Sequence, residues 1–132
     1  MAPPLVNGVR PMEVGTPGSM RSWLNGLILE GRKTAAAGLV SDYDAEAEPL
    51  ESEGEILALV DDDLLEVARL RVTGVETVRF ADVPWEFAAA EGEGDASIEE
   101  WREGHRRFWT SLGESVDHDT LVVLVRFELW PG

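Results

Sequence analysis

Cysteine is absent from this 132-residue chain, and histidine occurs only twice, as His105 and His118. Without thiols the protein forms no disulfide, no thiolate zinc site and no cysteine nucleophile. The two histidines lie far apart and lack the His-x-x-x-His spacing of a metal-binding helix. The sequence therefore predicts neither a metal site nor a bound cofactor.

Long apolar runs are also missing, since the longest, from Leu121 to Val125, is long enough for a strand but not for a membrane span. The first residues, Met1 to Pro4, lack the basic flank and apolar stretch of a secretion signal. We therefore expect a cytoplasmic protein that does not contact membranes. Its length and 44% apolar content favour one domain with one hydrophobic core.

Basic residues are scarce, with 11 Lys and Arg against 26 Asp and Glu, which gives a net charge of −15. Such a surface repels a polyphosphate along its whole length, so binding to extended DNA or RNA is excluded as the main activity. A neutral nucleoside or a short RNA bound in one local pocket remains compatible with this charge.

The pattern of apolar residues predicts an α+β fold. Residues 1–18 are rich in proline and glycine and are interpreted as a loose arm, with residues 19–132 forming a single domain. A helix is expected from Met20 to Glu30, with Ser19 as its N-cap and Gly31 at its end. Residues 56–60 and 67–72 flank an aspartate-rich turn and predict a β-hairpin, followed by a bulge or bend at Gly74.

The second half adds two helices and a final strand. We expect a short helix near Pro84, with Asp82 as its N-cap, and a longer helix opened by a capping box of Ser97 and Glu100. Residues 121–129 begin with a stretch that is apolar on both faces, as in a central strand. The elements together indicate a small mixed sheet or barrel flanked by two to three helices.

Three segments carry residues beyond what packing requires. Residues 31–38 place Arg32 and Lys33 beside glycine but lack the spacing of a phosphate-binding Walker loop. Residues 91–95 carry three carboxylates, and burial of Glu93 beside Lys33 would suit acid–base chemistry. Residues 101–109 mix basic and aromatic groups, and we interpret His105 there as a hydrogen-bonded core residue. The acidic stretch at 42–55 is interpreted as a solvated loop, with a divalent-cation site as the alternative.

Two of these segments, in this order, resemble the signatures of the ASCH domain family. The first runs from Gly18 through Arg21 and Leu24-Asn25 to Leu27–Thr34, and the second comprises Glu91–Ser97, Trp101-Arg102 and His105–Phe108. The resemblance covers the chain from about Gly18 onward. It implies a PUA-like pseudo-barrel with a cleft between the two segments, and a role in recognising RNA or modified bases.

One branch of that family hydrolyses the amide of N4-acetylcytidine, and another has been assigned ribonuclease activity. The resemblance implies that Lys33 and Glu93 are catalytic, with Glu91 or Asp95 in place of Glu93 if the alignment shifts. The threonine of the amidohydrolase set falls on Ala36, which has no hydroxyl. Thr34 is the nearest substitute, although adjacent side chains in an extended segment point to opposite faces.

Two hypotheses of different classes follow. The protein is either a hydrolase of a small modified nucleoside or related amide, or a module that binds a nucleotide or short RNA without turnover. A ribonuclease that uses a divalent cation is a further alternative. In each case the expected ligand-binding residues are Arg21, Arg32, Tyr43, Trp85 and Arg102.

Overall fold

The protein forms one curled, half-barrel sheet packed against helices, as seen in a computed structural model that describes residues 4–131. The strands are β1 (Arg10–Met12), β2 (Ala35–Leu39), β3 (Ile56–Val60), β4 (Glu66–Arg79) and β5 (Leu121–Leu129). The helices are α1 (Ser19–Leu29), α2 (Val40–Ala45), α3 (Trp85–Ala90) and α4 (Ile98–Ser111). The predicted α+β class, a mixed sheet flanked by helices, is confirmed.

The sheet has the strand order β1-β3-β4-β5-β2, in which β1 pairs with β3 in parallel and the other neighbours are antiparallel. Strand β5 lies between β4 and β2, and residues 122–125 are buried on both faces, as their apolar sequence predicts. The register of β4 against β5 shifts between Val72 and Gly74, which confirms the expected bulge.

The two faces of β5 pack against separate apolar clusters because side chains alternate along a strand. Val123, Val125 and Phe127 contact the cluster that includes α1, whereas Val122 and Leu124 contact the cluster around α3 and α4. The segment that joins α1 to β2 connects the two clusters, since Leu27 and Ile28 belong to the first and Ala35 belongs to the second.

Residues 10–14 of the proline- and glycine-rich N-terminal segment pack into the fold, where the sequence predicted a loose arm. Residues 10–12 form an edge strand, and Val14 is only 6% exposed within the cluster around α1. Pro11 is tolerated because an edge strand leaves one backbone side free of ladder hydrogen bonds. Residues 1–3 of the expected arm, and Gly132 at the end of the expected domain, lie outside the described residues.

Two helix starts differ from the prediction. The N-cap of α1 is Gly18, with φ of 103°, and Ser19 is already helical and makes no capping bond. Pro84 precedes α3, whereas Asp82 belongs to a 3-10 turn and accepts a hydrogen bond from Arg79. The Ser97 cap of α4 is confirmed, because its hydroxyl accepts from the backbone of Glu100.

Within residues 4–131, no helix has both the length and the apolar character needed to cross a membrane.

Candidate functional site

A cavity of about 470 Å³ opens beside the segment that joins α1 to β2. This volume lies in the range of small-molecule sites. Its apolar and aromatic lining residues include Met12, Met20, Trp23, Leu24, Phe108 and Trp109. The carboxylates that line the cavity are Glu13, Glu46, Glu48, Glu51, Glu91, Glu93 and Asp95.

Lys33 lies at the cavity wall with its side chain only 2% exposed. Gly31 ends α1 in the left-handed conformation, with φ of 79°, and the backbone N–H of Lys33 then donates to Leu27 O at 3.1 Å. The chain becomes extended beyond this turn, so successive side chains alternate in direction. Arg32 and Thr34 point outward and are exposed, while Lys33 points inward.

The ammonium of Lys33 has three acceptors, which match its three N–H donors. They are Ala35 O at 2.9 Å, Glu91 Oε2 at 3.0 Å and Glu93 Oε2 at 2.6 Å. The structure therefore brings together Lys33 and Glu93, which the family resemblance implies are the catalytic pair. It adds Glu91, which the sequence offered only as an alternative to Glu93, as a simultaneous partner.

Gly92 allows both glutamates to reach Lys33. Its φ is 66°, and a Cβ atom built on it would lie 2.1 Å from the carbonyl oxygen of Arg32 and 3.2 Å from the backbone nitrogen of Lys33. The chain is thus in backbone contact with the lysine segment at this point, where only glycine fits. The flanking carboxylates are held on either side of that contact.

Glu91 is the inner carboxylate and is 2% exposed. Its Oε1 accepts from the indole N–H of Trp101 at 2.6 Å and lies 3.2 Å from His105 Nε2. Burial alone would raise the pKa of Glu91, but hydrogen bonds from His105 and Trp101 and the charge of Lys33 outweigh burial and lower the pKa to about 2. Glu91 is therefore ionised at neutral pH and accepts a hydrogen bond from the ammonium of Lys33.

Glu93 is the outer carboxylate, with 18% of its side chain exposed, and it lines the cavity. Burial raises the pKa of Glu93 above its usual range, and the negative charge of Glu91 adds to this effect against the opposing charge of Lys33. Two neighbouring carboxylates with pKa values moved in opposite directions provide one fixed anion and one group suited to proton transfer.

Tyr43, one of the expected ligand-binding residues, also lines the cavity. Its hydroxyl donates to Glu51 at 2.8 Å, and burial raises the pKa of Tyr43, so the side chain remains a phenol.

Arg21 lies behind the residues that line the cavity rather than among them. Its guanidinium is buried and donates to the carbonyl oxygens of Val14 and Gly15, which themselves line the cavity.

Four expected site residues lie away from the cavity. Thr34 points outward, and its hydroxyl donates to Ala90 O at 3.3 Å, because strand alternation turns it opposite to Lys33. Arg32 is 71% exposed beside Glu30. Trp85 is 41% exposed at the start of α3, and Arg102 donates to the carbonyl oxygen of Ala81. None of these four side chains is placed to touch a ligand in the cavity.

Sequence reasoning missed two features of the site. The acidic stretch at 42–55 was interpreted as a solvated loop, yet Glu46, Glu48 and Glu51 form a cavity wall. His105 is hydrogen-bonded as expected, but the sequence did not indicate that its partner is Glu91 or that it lines the cavity. The recurrence of Trp101 and His105 at a helical spacing of four was the available signal for a shared partner.

Across residues 4–131, no group of three or more His, Asp or Glu side chains is arranged to hold a metal ion.

Comparison with known proteins identifies the fold. The structure is similar to the ASCH domain of Lactobacillus crispatus, with a TM-score of 0.77 and 28% identity over 90% of this chain and 77% of that one. A protein from Enterococcus faecalis matches with a TM-score of 0.77 and 29% identity over 89% of this chain and 74% of that one. Mutant ZmASCH from Zymomonas mobilis is 8% identical over 81% of this chain and 63% of that one, with a TM-score of 0.54, which shows the fold alone.

The half-barrel sheet with its helices is a PUA-like fold. Residues 12–130 match the family model of the ASCH domain, and the chain belongs to that family. No match was found among curated proteins.

Proposed function

We propose that this protein hydrolyses an amide of a small nucleoside-type ligand bound in the cavity. The observation that carries the proposal is the buried ammonium of Lys33, held between an ionised inner carboxylate and an outer carboxylate that faces the cavity. Perturbed titratable groups beside a concave pocket are a common mark of catalytic sites.

The geometry suggests how the reaction would proceed. All three donors of Lys33 are occupied, so the carbonyl oxygen of the ligand would replace Glu93 as the third acceptor. Glu93, released from Lys33, would take a proton from a water molecule whose oxygen attacks the carbonyl carbon. Lys33 would stabilise the resulting oxyanion. The carbon–nitrogen bond would then break, and Glu93 would return its proton to the leaving nitrogen.

Ala36 is compatible with this mechanism because water, rather than a side-chain hydroxyl, is the nucleophile. Ala36 lines the cavity at the position where the family resemblance places a threonine. A methyl group there cannot form a covalent acyl intermediate. The proposed hydrolysis is therefore a single displacement by water.

The charge of the cavity favours an unphosphorylated ligand. Among the described residues that line it, Lys33 is the sole Lys or Arg, against seven carboxylates. Each phosphate on a ligand would be repelled by this wall, whereas a neutral nucleoside would not. The same argument disfavours the ribonuclease alternative.

A non-catalytic binding module is the second candidate, and Ala36 is the observation that favours it. Under this alternative the same cavity would hold the nucleoside, but no group would complete the hydrolysis. Ligand would then raise the melting temperature of the protein by mass action without product being formed. Acetate release from N4-acetylcytidine separates the two candidates.

The first prediction concerns the proposed base. We expect Glu93→Gln to reduce acetate release from N4-acetylcytidine by about 10²–10⁴-fold, because glutamine cannot accept the proton of the attacking water. Binding, measured as the ligand-induced rise in melting temperature, should persist. Steady-state release of acetate by the purified protein is the measurement.

Glu99→Gln is the matched control, because it removes one negative charge from an exposed position in the first turn of α4. It should leave hydrolysis unchanged. Full activity in Glu93→Gln would remove Glu93 from the mechanism. Ligand-induced stabilisation of the wild-type protein without any acetate would support the binding module instead.

The second prediction concerns pH. Glu93 must be ionised to accept a proton, and its pKa is raised above the ordinary value of 4.5. We therefore expect kcat/KM to fall as the pH decreases through a midpoint above 4.5. Circular dichroism over the same range separates this titration from unfolding. An acidic midpoint at or below 4.5, with the protein still folded, would contradict the assignment.

A further inference from the structure

His105 has hydrogen-bond acceptors on both sides of its ring. Nδ1 lies 3.0 Å from the backbone carbonyl oxygen of Trp101, and Nε2 lies 3.2 Å from Glu91 Oε1. A carbonyl oxygen can only accept, so Nδ1 must carry a proton. A neutral imidazole carries only one proton, and Nε2 would then present a lone pair to a carboxylate oxygen.

The other contacts of Glu91 place the second proton on the histidine rather than on the carboxylate. Glu91 Oε1 accepts from the indole N–H of Trp101, which can only donate, and Oε2 accepts from the ammonium of Lys33. Both of these hydrogen-bonding partners of the carboxylate are thus donors. The arrangement is fully satisfied when Glu91 is ionised and both nitrogens of His105 are protonated.

The aromatic surroundings also suit a cation. The ring of His105 stacks on that of Trp101, with centroids 4.0 Å apart and planes inclined by 22°. A cation over an indole face is attracted by the electron-rich face of the ring quadrupole. The burial of His105, with 15% of its side chain exposed, opposes protonation, and the adjacent carboxylates offset it.

We propose that His105 is a positioning residue, held as an imidazolium, that keeps Glu91 ionised and hydrogen-bonded to Lys33. Glu93 is then the carboxylate that the ligand displaces from Lys33. Lys33 and His105 supply two positive charges, and Glu91 and Glu93 supply two negative charges. The buried cluster is therefore electrically neutral. Its charge state rests on geometry alone, and its catalytic consequence rests on the proposed function.

Loss of the His105 proton at alkaline pH would leave the cluster with a net negative charge. The charged and titratable groups that face His105 are Glu91 at the end of α3 and Glu93 and Asp95 from the following loop, with Lys33 acting through Glu91. The three carboxylates all favour the imidazolium. A net negative cluster would oppose the oxyanion, so hydrolysis should fall when this proton is lost.

Nitrogen-15 NMR of the wild-type protein tests the charge state directly. The chain has two histidines, so His118→Gln assigns the resonances, and His118 is exposed. At pH 7 we expect both ring nitrogens of His105 to show the chemical shift of protonated nitrogen, because each faces an acceptor oxygen. A neutral tautomer of His105 at pH 7 would overturn the inference.

Kinetics then test the positioning role. We expect His105→Gln, which can still donate to Glu91, to lower kcat about tenfold with little change in KM and to lose the alkaline decline of the wild-type profile. His105→Phe should be less active than His105→Gln. An unchanged alkaline decline in His105→Gln would refute the role. If the wild-type protein hydrolyses nothing while NMR shows the imidazolium, the proposed function fails and the charge assignment stands.

Discussion

Replacing Lys33 with methionine is expected to lower the free energy of unfolding by about 3–5 kcal/mol at pH 7. The same change should reduce the rate of hydrolysis by about 10²–10³-fold. Methionine preserves most of the side-chain volume but removes the ammonium. Glu91 and Glu93 would then face each other in a buried space without their cation. Urea unfolding and acetate release measure the two effects.

The stability loss in Lys33→Met should depend on pH. Without the ammonium, the pKa of Glu93 in the folded variant would rise further above the ordinary value of 4.5, and the pKa of Glu91 would rise from its lowered value while His105 and Trp101 still donate to it. A raised folded-state pKa contributes stability that is present below 4.5 and is lost as the pH rises. The difference between variant and wild type should therefore be largest near neutral pH and shrink at acidic pH.

Arg32→Ala is the matched control for Lys33→Met. Arg32 is the adjacent residue, carries the same charge and is 71% exposed. Its removal should change the free energy of unfolding by less than about 0.5 kcal/mol. A penalty for Lys33→Met that is independent of pH would mean that only packing was lost, and the charge pairing described here would be wrong.

Gly92→Ala is expected to destabilise the protein by about 2–5 kcal/mol and to separate the glutamates from Lys33. The new Cβ atom would lie 2.1 Å from the carbonyl oxygen of Arg32, so one backbone segment must move. The φ of 66° adds the cost of a left-handed conformation, about 1–2 kcal/mol. Thermal unfolding and acetate release should both show the defect.

Gly94→Ala separates the two contributions. Gly94 also has positive φ, of 95°, but a Cβ atom there meets nothing within 4 Å. Its substitution should cost only the conformational part, about 1–2 kcal/mol, and should leave Glu91 and Glu93 beside Lys33. Equal losses of stability and activity in the two variants would show that the close approach at Gly92 does not hold the site together.

Much of the fold could be predicted from the sequence because it depends on local patterns. Alternation along residues 121–129 identified a central strand, and Ser97 with Glu100 identified the start of α4. The edge strand at residues 10–12 was not predicted because three residues are too few to show the alternation of apolar and polar side chains that indicates a strand. Its pairing with β3, far along the chain, is what makes it a strand.

The sequence by itself determined the family, the α+β class and the net negative charge of the chain, since composition and ordered motifs are properties of the chain alone. The resemblance also indicated Lys33 and Glu93. Tertiary structure decided that Glu91 and Glu93 contact Lys33 together, that Thr34 turns outward and that His105 closes the cluster. The contacts of Lys33 with the two glutamates join segments about sixty residues apart, and they depend on the backbone approach at Gly92, which no local pattern encodes.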